Sequence, residues 1–151
     1  MKRIKANHYV ETIIHITDRL LRNIKAELRK EVDKINPDIT SEQFIVLDTI
    51  NCYAGIYQQK LSDILMKDKS NTTRILKLLE NKELITKEAG KQEGRLVYRL
   101  FVTDKGCKVL EYIMPKIKKS ITDIFASVSD EEIELLHNLS KKFEKDLKDI
   151  D

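Results

Sequence analysis

A mostly helical fold carrying one small antiparallel hairpin is predicted by three features of the sequence. Long segments at both ends repeat apolar residues at helical spacing, short helical segments separated by tight turns fill the middle, and two strand-like runs flank a glycine-bounded tip. With only four Gly and two Pro among 151 residues, long irregular stretches are not expected. Hydrophobic residues at 41% and charged residues at 35% suit a soluble, helix-rich chain of one ordinary domain, 1–151. The opening MKRIKANHYVETIIHI has no apolar run of signal-peptide length, and no stretch approaches a membrane span. A cytoplasmic location and no membrane partner are therefore expected.

Val10, Ile13, Ile14, Leu20, Leu21, Ile24 and Leu28 recur at helical spacing, so the first thirty or so residues are read as one amphipathic helix. Asn36-Pro37-Asp38 ends it, because proline disfavours the helical region for the residue before it. Thr40 and Gln43 form a capping box, with Ile39 and Phe44 as its hydrophobic staple. Phe44, Leu47 and Ile50 give that helix an apolar face, and Ala54-Gly55-Ile56 breaks it. A short helix from Gln58 to Met66 is expected to bury Leu61, Ile64 and Leu65. Lys67-Asp68-Lys69 is a turn, and Asp68 or Ser70 caps the next helix, SNTTRILKLLENK, whose Ile75, Leu78 and Leu79 lie on one side.

Leu84 to Ala89 and Leu96 to Val102 read as strands, and Gly90 to Arg95 as the charged hairpin tip between them. Thr103 caps a helix through Cys107, Leu110, Ile113, Met114, Ile117, Ile121, Ile124 and Phe125, with a kink expected near Pro115. Ser129 and Glu132 form a second capping box, opening a helix with Ile133, Leu136, Leu139, Phe143 and Leu147. Two short helices joined by a tight turn, followed by a hairpin wing, make a winged helix-turn-helix pattern.

Charge supports the same division. From Lys60 to Arg99 ten Lys/Arg face six Asp/Glu, whereas from Ser129 to Asp151 four Lys face eight Asp/Glu. The basic middle suits a polyanion and the acidic tail a part held away from it.

The ordered motifs resemble the MarR family of regulators: Thr40-Ser-Glu-Gln43 with Val46-Leu47, Gln58 to Leu61 with Ile64, the run Lys69 to Lys82, and Thr103-Asp-Lys-Gly106. The resemblance covers nearly the whole chain. It implies a winged helix-turn-helix over about 40–103 flanked by dimerisation helices over about 5–35 and 104–149. Two departures stand out. Glu83 replaces a frequent Gly, so Asn81 or Lys82 is expected to turn left-handed, and Glu93-Gly94-Arg95 replaces Asp-x-Arg, with a bulge or shifted register expected.

A helix in the major groove reads bases with its first residues, here Ser70, Asn71, Thr72, Thr73 and Arg74, with Lys77 a turn on. Arg74 suits guanine and Asn71 adenine; the alternative duties are capping for Ser70 and Asn71 and an ion pair for Arg74. Gln58, Gln59 and Lys60 are placed for phosphates. The resemblance implies that Lys91 and Arg95 on the wing reach a minor groove or the backbone. The expected function is sequence-specific regulation of transcription at an inverted repeat in double-stranded DNA, by a homodimer. Surplus apolar residues at the helical ends support the homodimer.

The resemblance also implies a repressor released by a small-molecule effector, with His15, Tyr53, Tyr57 and Tyr112 as candidate contacts. Other readings are a winged-helix protein-interaction module without DNA binding and a thiol-based redox sensor. Cys52 and Cys107 match no metal or redox spacing and are expected as buried thiols. No catalytic constellation, metal site or cofactor motif is apparent, so an enzyme is not expected.

Overall fold

The elements of the computed structural model run α1 (Ala6–Ile35), α2 (Ser41–Cys52), β1 (Ile56–Tyr57), α3 (Gln58–Ile64), α4 (Lys69–Asn81), β2 (Ile85–Gln92), β3 (Arg95–Val102), α5 (Asp104–Ile124) and α6 (Asp130–Lys148). The structure describes residues 6–92 and 94–148, without the side chains of residues 6–11, 92, 95 and 148. Two units are formed, Met1–Ile117 and Lys118–Asp151.

In the first unit each boundary has a chemical cause. The Asn36 side chain accepts a hydrogen bond from Asp38 N at 3.0 Å, turning the chain after α1. The Thr40 hydroxyl accepts from Gln43 N at 3.2 Å, and Gln43 Oε1 accepts from Thr40 N at 3.3 Å, completing the capping box. Gln43 is buried, and its Oε1 also accepts from Lys82 Nζ at 2.9 Å, which ties the end of α4 to the start of α2. Around these ties Ile39, Phe44, Leu47, Ile50, Leu61, Ile75, Leu76, Leu79, Leu100 and Ile113 form one apolar core. Burying such a side chain contributes roughly 1.5–3 kcal/mol. Ile64 departs from expectation: it is 38% exposed, because the next residues turn away and Met66 takes a left-handed φ of 49°.

The sheet has the order β1-β3-β2, all antiparallel. β1, not anticipated from the sequence, pairs Ile56 with Leu100 and Tyr57 with Arg99. The hairpin is longer and its tip tighter than expected. Pairing runs unbroken from Ile85–Val102 to Gln92–Arg95, without a bulge, so the strands close in a tight turn that includes Gly94. Gly94 has φ 76°, the left-handed conformation such a turn needs. Ahead of the hairpin the left-handed residue is Glu83 itself, φ 60°, rather than Asn81 or Lys82. Its carbonyl accepts from the Thr103 hydroxyl at 2.7 Å, so the strained turn is held from across the sheet. Thr103 in turn caps α5, accepting from Gly106 N at 3.1 Å, and α5 continues as one helix through Pro115.

In the second unit the Ser129 hydroxyl accepts from Glu132 N at 3.3 Å and Glu132 Oε2 accepts from Ser129 N at 2.9 Å. That capping box starts α6, on which Ile133, Leu136, Leu139, Phe143 and Leu147 are all exposed.

Candidate nucleic-acid interface

The turn between α3 and α4 is built by backbone closure. The Ser62 carbonyl accepts from Lys67 N at 3.0 Å, and the Asp68 carboxylate caps α4 by accepting from Asn71 N at 2.8 Å. Asp68 rather than Ser70 is thus the cap, and Ser70 stays exposed in the first turn. Thr72, Ile75, Leu76 and Leu79 are buried, which phases the helix. The opposite rows, Lys69-Thr73-Lys77 and Ser70-Arg74, follow the i, i+4 spacing and are exposed.

This phasing corrects one expectation. Thr72 is fully buried, and its hydroxyl donates to the Asp68 carbonyl at 3.0 Å, so it belongs to the core rather than to a reading surface. Its spacing of three and four residues before Ile75 and Leu76 is the signal that marks it as core. Lys69, expected in the turn, is instead the first residue of α4, because Asp68 caps the helix. It lies in the exposed row with Thr73 and Lys77.

Gln58 and Thr73 meet across the two helices. Gln58 Nε2 donates to Thr73 Oγ1 at 2.6 Å, while that hydroxyl donates to the Lys69 carbonyl at 2.7 Å. Gln59 donates to Asp63 at 3.0 Å. Arg74 Nη2 donates to Asn71 Oδ1 at 3.0 Å and lies 3.8 Å from Glu42 Oε2 on α2. Glu42 also accepts from Lys67 Nζ at 2.9 Å, and this bond, with the charges of Lys67, Arg74 and Lys25, holds its carboxyl below the ordinary range. Among the described residues Lys60, Lys69, Lys77 and Lys91 form no ion pair, leaving four cations for an outside anion.

On the wing Lys91 is exposed. The Arg95 side chain and Glu93 lie outside the described residues; the Arg95 backbone pairs with Gln92. Arg99, also not anticipated, stands beside β1. Its Nε donates to the Tyr57 hydroxyl at 3.2 Å, and its guanidinium lies 5.5 Å from the ring centre. The register that pairs Tyr57 with Arg99 explains the contact.

The residues considered for an effector are not brought together in the groove that α1, α2 and α4 form. That groove, about 900 Å³, has an apolar floor including Leu28, Ile45 and Leu78 and a rim including Lys25, Arg29, Glu42 and Arg74, and none of His15, Tyr53, Tyr57 and Tyr112 lines it. His15, Tyr53 and Tyr112 are exposed, Tyr57 is engaged with Arg99, and Lys116 Nζ sits 3.3 Å from the centre of the Tyr112 ring. The expected burial of both thiols is corrected too: Cys52 is exposed at the end of α2 and Cys107 is half-buried. Among the described residues no helix is long and apolar enough to cross a membrane, and no cluster of three His, Cys, Asp or Glu could hold a metal ion.

Two short helices locked by a tight turn, the second with an exposed cationic face, and a following hairpin define a winged helix-turn-helix protein. Residues 39–97 match the model of the MarR family. The chain is 31% identical over 113 residues to the uncharacterized HTH-type transcriptional regulator YybA of Bacillus subtilis, covering 72% of this chain and 75% of that protein. A MarR transcriptional regulator from Methanosarcina mazei is 31% identical with a TM-score of 0.72, covering 91% of this chain and 98% of that one. At 20% identity the fold of a mutant MarR from E. coli, complexed with operator DNA, gives a TM-score of 0.78, with 93% of this chain and 99% of that chain covered. The chain belongs to the MarR family of transcriptional regulators.

Proposed function

We propose that this regulator acts in the cytoplasm as a homodimer, reading an inverted repeat in double-stranded DNA with α4 of each copy. It is a repressor whose grip a small molecule loosens, and it carries no catalytic activity of its own. The observation that carries the reading is the phasing of α4, which buries Thr72, Ile75, Leu76 and Leu79 and leaves Lys69, Ser70, Thr73, Arg74 and Lys77 outward. An exposed helix bearing an arginine, an amide next to it and unpaired lysines suits base edges and phosphates together. Asn71 and Arg74 take base contacts in this reading. Gln58, Gln59, Lys60, Ser70, Thr73 and Lys77 take the flanking backbone and bases, and Lys91 and Arg95 the contacts of the wing. For the homodimer, the apolar side chains of α1 and α6 offer the surface that a second copy covers.

The test is a titration of the full chain against duplexes selected from a random pool. An inverted repeat should emerge, and log affinity should fall linearly with log salt, at a slope of about −0.9 per phosphate neutralised. Binding without sequence preference, or a flat salt dependence, contradicts the proposal.

A further inference from the structure

Glu42 presents a physical puzzle on a surface offered to a polyanion. A carboxylate close to DNA phosphates repels them, yet this one lies 3.8 Å from the Arg74 guanidinium. Its place near the N-terminus of α2 explains why a carboxylate is tolerated there, since helix amides favour negative charge. That place does not explain its aim. The aim is set by Lys67, which donates to Glu42 Oε1 at 2.9 Å and leaves Oε2 turned to Arg74. Lys67 is itself mostly covered, with its side chain 23% exposed, so the anchor is fixed to the turn between the two helices.

Arg74 Nη2 therefore has one hydrogen-bond acceptor, Asn71 Oδ1 at 3.0 Å on its own helix, and one ion-pair partner, Glu42 Oε2 at 3.8 Å on α2. A long, exposed arginine loses much rotamer freedom when it binds a base edge, and the loss is smaller for a guanidinium already oriented. We propose that Glu42, anchored by Lys67 and facing Arg74, is a positioning residue that orients the Arg74 guanidinium for base reading and so sets the sequence discrimination of the protein. This inference rests on the reading of α4 given above. In it Glu42 touches no base. It acts through Arg74, lowering affinity for all DNA slightly by its charge while favouring the correct sequence by fixing the fork.

The experiment uses the full chain, a duplex selected by the wild-type protein, and a scrambled duplex of equal length, and it reads the ratio of the two dissociation constants. Glu42→Gln should shrink that ratio about 2- to 5-fold, the scale of an exposed ion pair, through weaker binding of the selected duplex. Glu42→Asp keeps the charge but not the reach, and should shrink the ratio similarly. In an Arg74→Ala background, Glu42→Gln should leave the ratio where Arg74→Ala put it. Three results with Glu42 variants overturn the proposal. The first is a gain for both duplexes alike, which makes Glu42 a source of repulsion only. The second is an equal loss for both with a lower Tm, which makes it a strut for the turn. The third is a change in ratio that persists without Arg74. If Arg74→Ala itself leaves the ratio unchanged, both the proposal and the reading of α4 fail; if Arg74→Ala lowers the ratio and Glu42→Gln does not, only the proposal fails.

Discussion

Thr72 and Thr73 are neighbours in sequence with opposite fates. The Thr72 hydroxyl is buried against the Asp68 carbonyl, whereas the Thr73 hydroxyl is exposed and joins Gln58 to the first turn of α4. From residue type alone the two are equivalent, and the set Asn71 to Arg74 reads as one polar run. Only the helical phase separates them, and Leu76, which is buried with Ile75 and Leu79 while Leu78 is half-buried, sets that phase. Thr72→Val should keep duplex affinity within about 2-fold, because a surface change is not involved. It should alter stability by no more than about 1 kcal/mol, since the Asp68 carbonyl keeps its bond from Thr72 N at 3.1 Å. Fluorescence anisotropy with urea denaturation checks both. A tenfold loss of affinity in a variant of unchanged stability would return Thr72 to the reading surface.

The elements themselves were largely legible, because helix starts are chemical events with local signatures. Both capping boxes, the Asn36 turn and the Thr103 cap were readable from a few residues, and all form as hydrogen bonds. What was not legible depends on partners distant in sequence. A two-residue strand such as β1 has no periodicity and exists because β3 offers Leu100 and Arg99 to pair with. Helix α3 spans seven residues, too few for its period to decide which isoleucine or leucine is buried. The hairpin tip is narrower than the sequence pattern implies because the strands carry charged residues to their ends, where pairing rather than hydrophobicity sustains them.

At the junction from β3 to α5, Gly106 has a role that its neighbours define. A Cβ there would press on the Leu84 carbonyl and lie 2.6 Å from Val102 Cγ1. Gly106→Ala should therefore destabilise the fold by roughly 1–3 kcal/mol, against the gain of about 1 kcal/mol that alanine brings to an open helical site. Equilibrium unfolding in urea measures it, and a stabilised variant would show that this close approach relaxes without cost.

For the molecule as a whole, assembly follows from what each unit leaves uncovered. Ile14, Leu20 and Leu21 on α1 and Leu136, Leu139, Phe143 and Leu147 on α6 are all 40% exposed or more in the single chain. Ile117, in the apolar repeat of α5, is by contrast 4% exposed within the core, and the Val10 side chain lies outside the described residues. The remaining apolar faces are what a second copy buries in the proposed homodimer. A two-fold dimer holds its two α4 helices at a fixed separation, so the operator half-sites must match it, at about one helical turn or a multiple of it. The direct measurement is the affinity and stoichiometry of the full chain on the selected inverted repeat and on versions with about 5 or about 10 base pairs inserted between half-sites. The account predicts two 17.7 kDa chains per duplex. It also predicts that the half-turn insertion lowers affinity to that of a scrambled duplex. One chain per duplex, or affinity indifferent to the half-turn insertion, would contradict it.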